Sequence, residues 1–98
     1  MLFKQIGDYK KLVATNMDSV YYSALAAGKY FQRQGRGSFI ATASISGYVV
    51  NIPRLQAAYN AVKAAVIHYC RCLAVEWAGF ARVNTVSPGA FISFLGVF

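Results

Sequence analysis

An α/β fold with two parallel strands is the class this sequence predicts, and three observations predict it. Long runs of apolar residues at three- and four-residue spacing alternate with short apolar runs of strand length. Gly35, Gly37, Gly47, Pro53, Gly79, Pro88 and Gly89 fall between those runs. The resulting order is helix, strand, helix, strand, which closes most simply with both strands pointing the same way.

The first helix is expected over residues 7–34. Leu12, Val13, Met17, Val20, Tyr21, Ala24, Ala27, Gly28 and Phe31 form its apolar stripe. The small residues from Ala24 to Gly28 would let another helix approach closely. Gly35-Arg-Gly37 ends it, as glycines past a helix C-terminus do. SFIATA, residues 38–43, reads as a strand covered on both faces. Residues 44–54 form a loop punctuated by Gly47 and Pro53. A second helix is expected over residues 55–77, with Ala58, Val62, Ala65, Val66, Tyr69, Leu73 and Trp77 on its buried side. Gly79 stops it, residues 82–86 form the second strand, and Ser87-Pro88-Gly89 turns the chain out of the sheet. Two strands do not make a stable parallel sheet by themselves, so a partner chain or further chain is expected.

Composition narrows the function classes. The 98 residues allow one small domain, and 57% hydrophobic with 13% charged residues excludes disorder. The formal charge of +7 comes from scattered cations, with Lys10–Lys11 and Arg33/Arg36 the only close pairs. A nucleic-acid binder would cluster them on one face, so they read as solvated positions and no nucleic-acid partner is expected. No apolar run approaches the ~20 residues that span a bilayer, and no secretory leader is visible, so no membrane partner is expected. Cys70 and Cys72 fall on different helical faces with no second ligand pair. They are read as small buried thiols of a reducing cytoplasm, and no metal is expected.

The chemistry concentrates in residues 44–63. Tyr59 and Lys63 are four residues apart and share a helix face. A phenol, with an ordinary pKa of about 10, is a poor acid or base at neutral pH. A neighbouring ammonium favours the phenolate and brings it toward the working range. Ser44, at the end of the first strand, would then hydrogen-bond a substrate oxygen whose charge changes during the reaction. The outline is that of an oxidoreductase.

Ser44-x-x-Gly47, Tyr59-Asn-Ala-Val-Lys63 and Asn84-Thr-Val-Ser-Pro88-Gly89, in this order, resemble the second half of the short-chain dehydrogenase/reductases. The likeness runs from about Leu12 to Gly89. LQAAYNAVKAAV and LAVEWAGFARVNTVSPG resemble, within that family, fungal NADP-dependent mannitol dehydrogenases and sorbose reductases. The resemblance implies a partial doubly wound, Rossmann-like sheet. It implies hydride transfer between NADP(H), with NAD not excluded, and a carbonyl/alcohol pair such as a ketose and its polyol. By the same resemblance Tyr59 is the general acid/base, and Lys63 tunes it and binds the nicotinamide ribose. Ser44 holds the substrate oxygen, with Ser46 its rival, and Asn16 positions Lys63 through a water. Pro88 and Gly89 wall the nicotinamide, and the two long helices form a homo-oligomer interface.

The departures are specific. No G-x-x-x-G-x-G turn is present to receive a pyrophosphate at a helix N-terminus. Position 1 corresponds roughly to the middle of a family member, and the tail at residues 90–98 diverges, with Phe91 and Ser93 assigned no role. The expectation is one partial domain over residues 1–98, a truncated product or an imperfect gene model. The alternative is a catalytically inactive fragment acting as a helix-mediated dimerisation module.

Overall fold

The computed structural model describes residues 6–50, 56–89, 92–93 and 96–97. Helix α1 spans Ile6–Val13 and continues through a π-helical turn, Ala14–Asp18, into α2, Ser19–Gln34. Strand β1 is Ser38–Thr42, a 3₁₀ turn covers Ile45–Gly47, α3 is Ala57–Glu76 and β2 is Arg82–Val86. Strands β1 and β2 pair in parallel, with Ser38 beside Arg82 and Thr42 beside Val86. In the tail, β3 (Ile92–Ser93) and β4 (Gly96–Val97) form a separate antiparallel pair.

The first helical run is continuous but not uniform, and the departure falls at Asn16. The Ser19 N–H bonds the Ala14 carbonyl, five residues back, the signature of a π turn. The Asn16 amide donates to the Leu12 carbonyl at 2.9 Å, where the backbone ladder changes step. Apolar spacing alone carries no sign of this inserted residue. The helix ends at Gly35, whose φ of 81° lies in the left-handed region and whose N–H bonds Phe31 O at 2.8 Å.

One core joins α2, α3 and one face of the sheet. Ala41, Ala43 and Val83 from the strand regions meet Val66, Ile67, Cys70 and Leu73 of α3 and Ala24 of α2. Val66 is fully buried, worth roughly 1.5–3 kcal/mol on ordinary transfer grounds. The expectation of a strand covered on both faces is corrected: outward-facing Ile40 and Val86 are 62% and 52% exposed. Nothing among the described residues covers that face. The buried side of α3 also shifts: Ala65 is exposed, while Ile67 and Cys70 are buried. Cys72 is exposed, so only one of the two cysteines is a core thiol.

The space left by Gly28 is taken by an aromatic ring, not by a helix backbone. A β-carbon at Gly28 would lie 2.5 Å from Trp77 Cζ2. Trp77, just past the end of α3, packs edge-on against Phe31 and Phe39, with ring centroids 6.2 and 5.9 Å away. Leu55 and Pro53 lie outside the described residues.

Candidate active site

Ser44, Tyr59, Lys63, Pro88 and Gly89 lie on elements that meet at the carboxyl end of the two parallel strands. In open α/β sheets that end is where ligands bind. The chain leaves β1 at Thr42, and Ala43 extends the ladder by donating to Val86 O at 2.7 Å. Ser44 follows in extended conformation and caps the 3₁₀ turn: its Oγ accepts from the Ser46 N–H at 3.1 Å. With that lone pair committed, the Ser44 hydroxyl proton remains available for donation. Ile45 N–H bonds Pro88 O at 3.2 Å, so the serine turn and the Pro88–Gly89 segment are neighbours.

Lys63 is only 8% exposed. Its Nζ donates to Thr42 O at 3.3 Å and lies 5.6 Å from the centroid of the Tyr59 ring. A buried ammonium needs such partners, because desolvation otherwise disfavours its charge. The carbonyl of Thr42 is the site component that sequence reasoning missed. A backbone oxygen has no residue signature, and only its place at the strand end marks it.

Glycine makes the approach of the serine turn to α3 possible. A β-carbon at Gly47 would lie 3.0 Å from Lys63 C, 3.1 Å from Ala64 N and 2.5 Å from Ile67 Cδ1. Ser46, the rival serine, is buried at 7% exposure and receives the Gln56 amide at 3.4 Å, whereas Ser44 is half-buried. Asn16 sits in the π turn, which packs against α3. Its side-chain N–H is engaged with Leu12 O, so the residue is neither a cap nor merely solvated.

Burial pushes the Cys70 thiol above its ordinary 9.0. Burial, then the neighbouring Tyr21, Cys70 and Glu76, push the Tyr69 phenol above 10.0. Among the described residues no group of histidine, cysteine or carboxylate side chains could hold a metal ion, and no helix is long and apolar enough to cross a membrane. His68 is exposed on α3.

Known proteins resemble this chain in sequence and in fold. A family model described as enoyl-(acyl carrier protein) reductase matches residues 4–93. The chain is 60% identical over 82 residues to a probable NADP-dependent mannitol dehydrogenase of Yarrowia lipolytica, covering 84% of this chain and 30% of that protein. It is 57% identical over 81 residues to a sorbose reductase of Schizosaccharomyces pombe, covering 83% and 32%. The crystal structure of an NADPH-dependent 3-quinuclidinone reductase from Rhodotorula rubra superposes with a TM-score of 0.87 at 49% identity. That match covers 94% of this chain and 35% of the other. The chain therefore spans about a third of the length of the relatives it matches.

Proposed function

The chain belongs to the short-chain dehydrogenase/reductase family, and from that premise we propose that it carries the acid–base centre of an NADP(H)-dependent oxidoreductase acting on a carbonyl/alcohol pair, a ketose and its polyol. The observation that carries this reading is the buried Lys63 ammonium, held between Thr42 O and the Tyr59 ring. The probable NADP-dependent mannitol dehydrogenase among the relatives supports the choice of cofactor, and together with the sorbose reductase it supports the substrate class.

The donors present fit the nicotinamide-ribose end of such a cofactor. A lysine ammonium offers three N–H donors, of which Thr42 O takes one. The other two suit ribose hydroxyls, and Pro88 and Gly89 would flank the ring. The sequence carries no glycine-rich turn for the pyrophosphate. When bound, NADP(H) supplies or takes up the hydride.

The residues divide the remaining work. The Ser44 hydroxyl donates to the carbonyl oxygen of the ketose and holds it in place. Tyr59 delivers its phenolic proton to that oxygen during reduction and takes it back during oxidation. The Lys63 charge stabilises the phenolate left behind. Asn16 positions Lys63 through a water, a role that rests on the family resemblance and is supported by the packing of the π turn against α3. The free thiols of Cys70 and Cys72 support a reducing, cytoplasmic setting.

The test is NADPH titration followed by nicotinamide fluorescence, with turnover of ketose–polyol pairs measured alongside. Micromolar binding is expected, and Tyr59→Phe is expected to lower kcat by about 10²–10⁴-fold while leaving binding intact. A second reading, an association module without turnover, is favoured by exposed Tyr21, Tyr22, Leu25 and Val75 on the helices. A stable homodimer that binds no NADPH would establish that reading instead.

A further inference from the structure

The geometry points to Asn60 as a positioning residue: with Gln56, it clamps the loop that carries Ser44 onto the helix that carries Tyr59 and Lys63. This assignment rests on the oxidoreductase reading above and adds to it a residue outside the reacting set.

The clamp has three points. The Gln56 amide reaches Ser46 Oγ at 3.4 Å, and the Asn60 Nδ2 donates to Val49 O at 3.5 Å. Between them, Gly47 lies against the backbone of Lys63 and Ala64 and against Ile67. Positions 56, 60, 63–64 and 67 recur at three- and four-residue spacing, so the loop lies along a single stripe of α3. Lys63 lies on that stripe and Tyr59 is next to Asn60, so whatever fixes the loop there fixes Ser44 relative to them.

The loop transmits such a restraint because it is bonded to itself. Gly47 N–H donates to Ser44 O at 3.0 Å, and the Tyr48 and Val49 N–H groups both donate to Ile45 O, at 2.9 and 3.1 Å. Ser46 N–H holds Ser44 Oγ at 3.1 Å. From Ser44 to Val49 the segment is one unit, so a tether at Val49 sets the direction of the Ser44 hydroxyl. The other end of the Asn60 amide supports the assignment. Its Oδ1 is buried without a hydrogen-bond partner among the described residues. For packing alone an apolar side chain would serve better there, so the value of the amide lies in its donor.

The experiment uses the full 98-residue chain with Asn60→Ala and Asn60→Asp. Alanine removes the whole amide, and aspartate keeps its shape while losing the donor and adding a charge, so the effect the two variants share is the one that reports the lost donor. Amide exchange at Gly47, Tyr48 and Val49 is expected to quicken by up to about tenfold in each, with exchange across residues 66–73 unchanged. In turnover assays kcat is expected to fall about tenfold or more while the KM for NADPH holds, because misplacement of a reacting group acts on the chemical step. Tyr59→Phe is expected to lower kcat by about 10²–10⁴-fold without loosening the loop.

Wild-type exchange rates in Asn60→Asp overturn the clamp. A loosened loop with unchanged kcat overturns the positioning role. A wild-type chain without turnover sinks the oxidoreductase reading and the positioning role with it, while the exchange rates still decide whether the clamp exists.

Discussion

Lys63 shows how far a single residue departs from its usual habit. Lysine is rarely buried without a paired charge, yet here the ammonium is nearly out of water with a carbonyl and an aromatic ring as partners. The ring contact is worth about 0.5–1 kcal/mol in an exposed site and more when desolvated, which does not repay desolvation. Taking an ammonium out of water costs on the order of several kcal/mol, and an apolar group of similar volume avoids that cost. Lys63→Met is therefore expected to leave the thermal midpoint unchanged or raised while abolishing NADPH-dependent turnover; calorimetry and a kinetic assay check the two halves. The cysteines separate by exposure. Cys72 is expected to react with a thiol reagent in the native chain, whereas Cys70 reacts only on unfolding, and mass spectrometry of the labelled peptide distinguishes them.

At the scale of elements, two glycines decide what packs against what. Gly28 admits the Trp77 ring, which is held by Phe31, Phe39 and Phe80 and has little room to yield. Gly28→Ala is expected to destabilise the fold by about 1–3 kcal/mol. Gly7, with nothing among the described residues within 4 Å of an added β-carbon, is the control: Gly7→Ala should be neutral or stabilising in a urea titration. Gly47 brings the serine turn against the backbone of α3. The π turn has the opposite character, since it adds a residue to the helix instead of removing a side chain. Helical period identified the run, but the change of step at Asn16 depends on which carbonyl each N–H finally meets.

For the whole molecule, the open sheet face and the strand edges dominate. Ile40 and Val86 are exposed on one side of a two-stranded sheet, a surface that invites association. Ile40→Lys is expected to shift sedimentation toward smaller species at equal concentration. The core also sets an alkaline limit. Cys70 and Tyr69 have values raised on folding, so each binds its proton more tightly in the native state. Their contribution is complete below about pH 9, the ordinary thiol value, and is lost as pH rises through the raised ones. Urea midpoints are expected to fall above that pH, and less steeply in Cys70→Ala.

The sequence alone determined the order of elements, the parallel pairing and the four-residue step from Tyr59 to Lys63, because these follow from local periodicity and from glycine and proline stops. It also held the ordered serine, tyrosine, lysine and Pro-Gly motifs that mark the family. Only the tertiary structure decided that Thr42 O holds the ammonium, that Trp77 fills the space beside Gly28, that Ser46 is buried while Ser44 is half-open, and that no described residue covers one sheet face. Each of those depends on atoms far apart in the chain reaching the same few ångströms, and no local pattern of side chains encodes such a meeting.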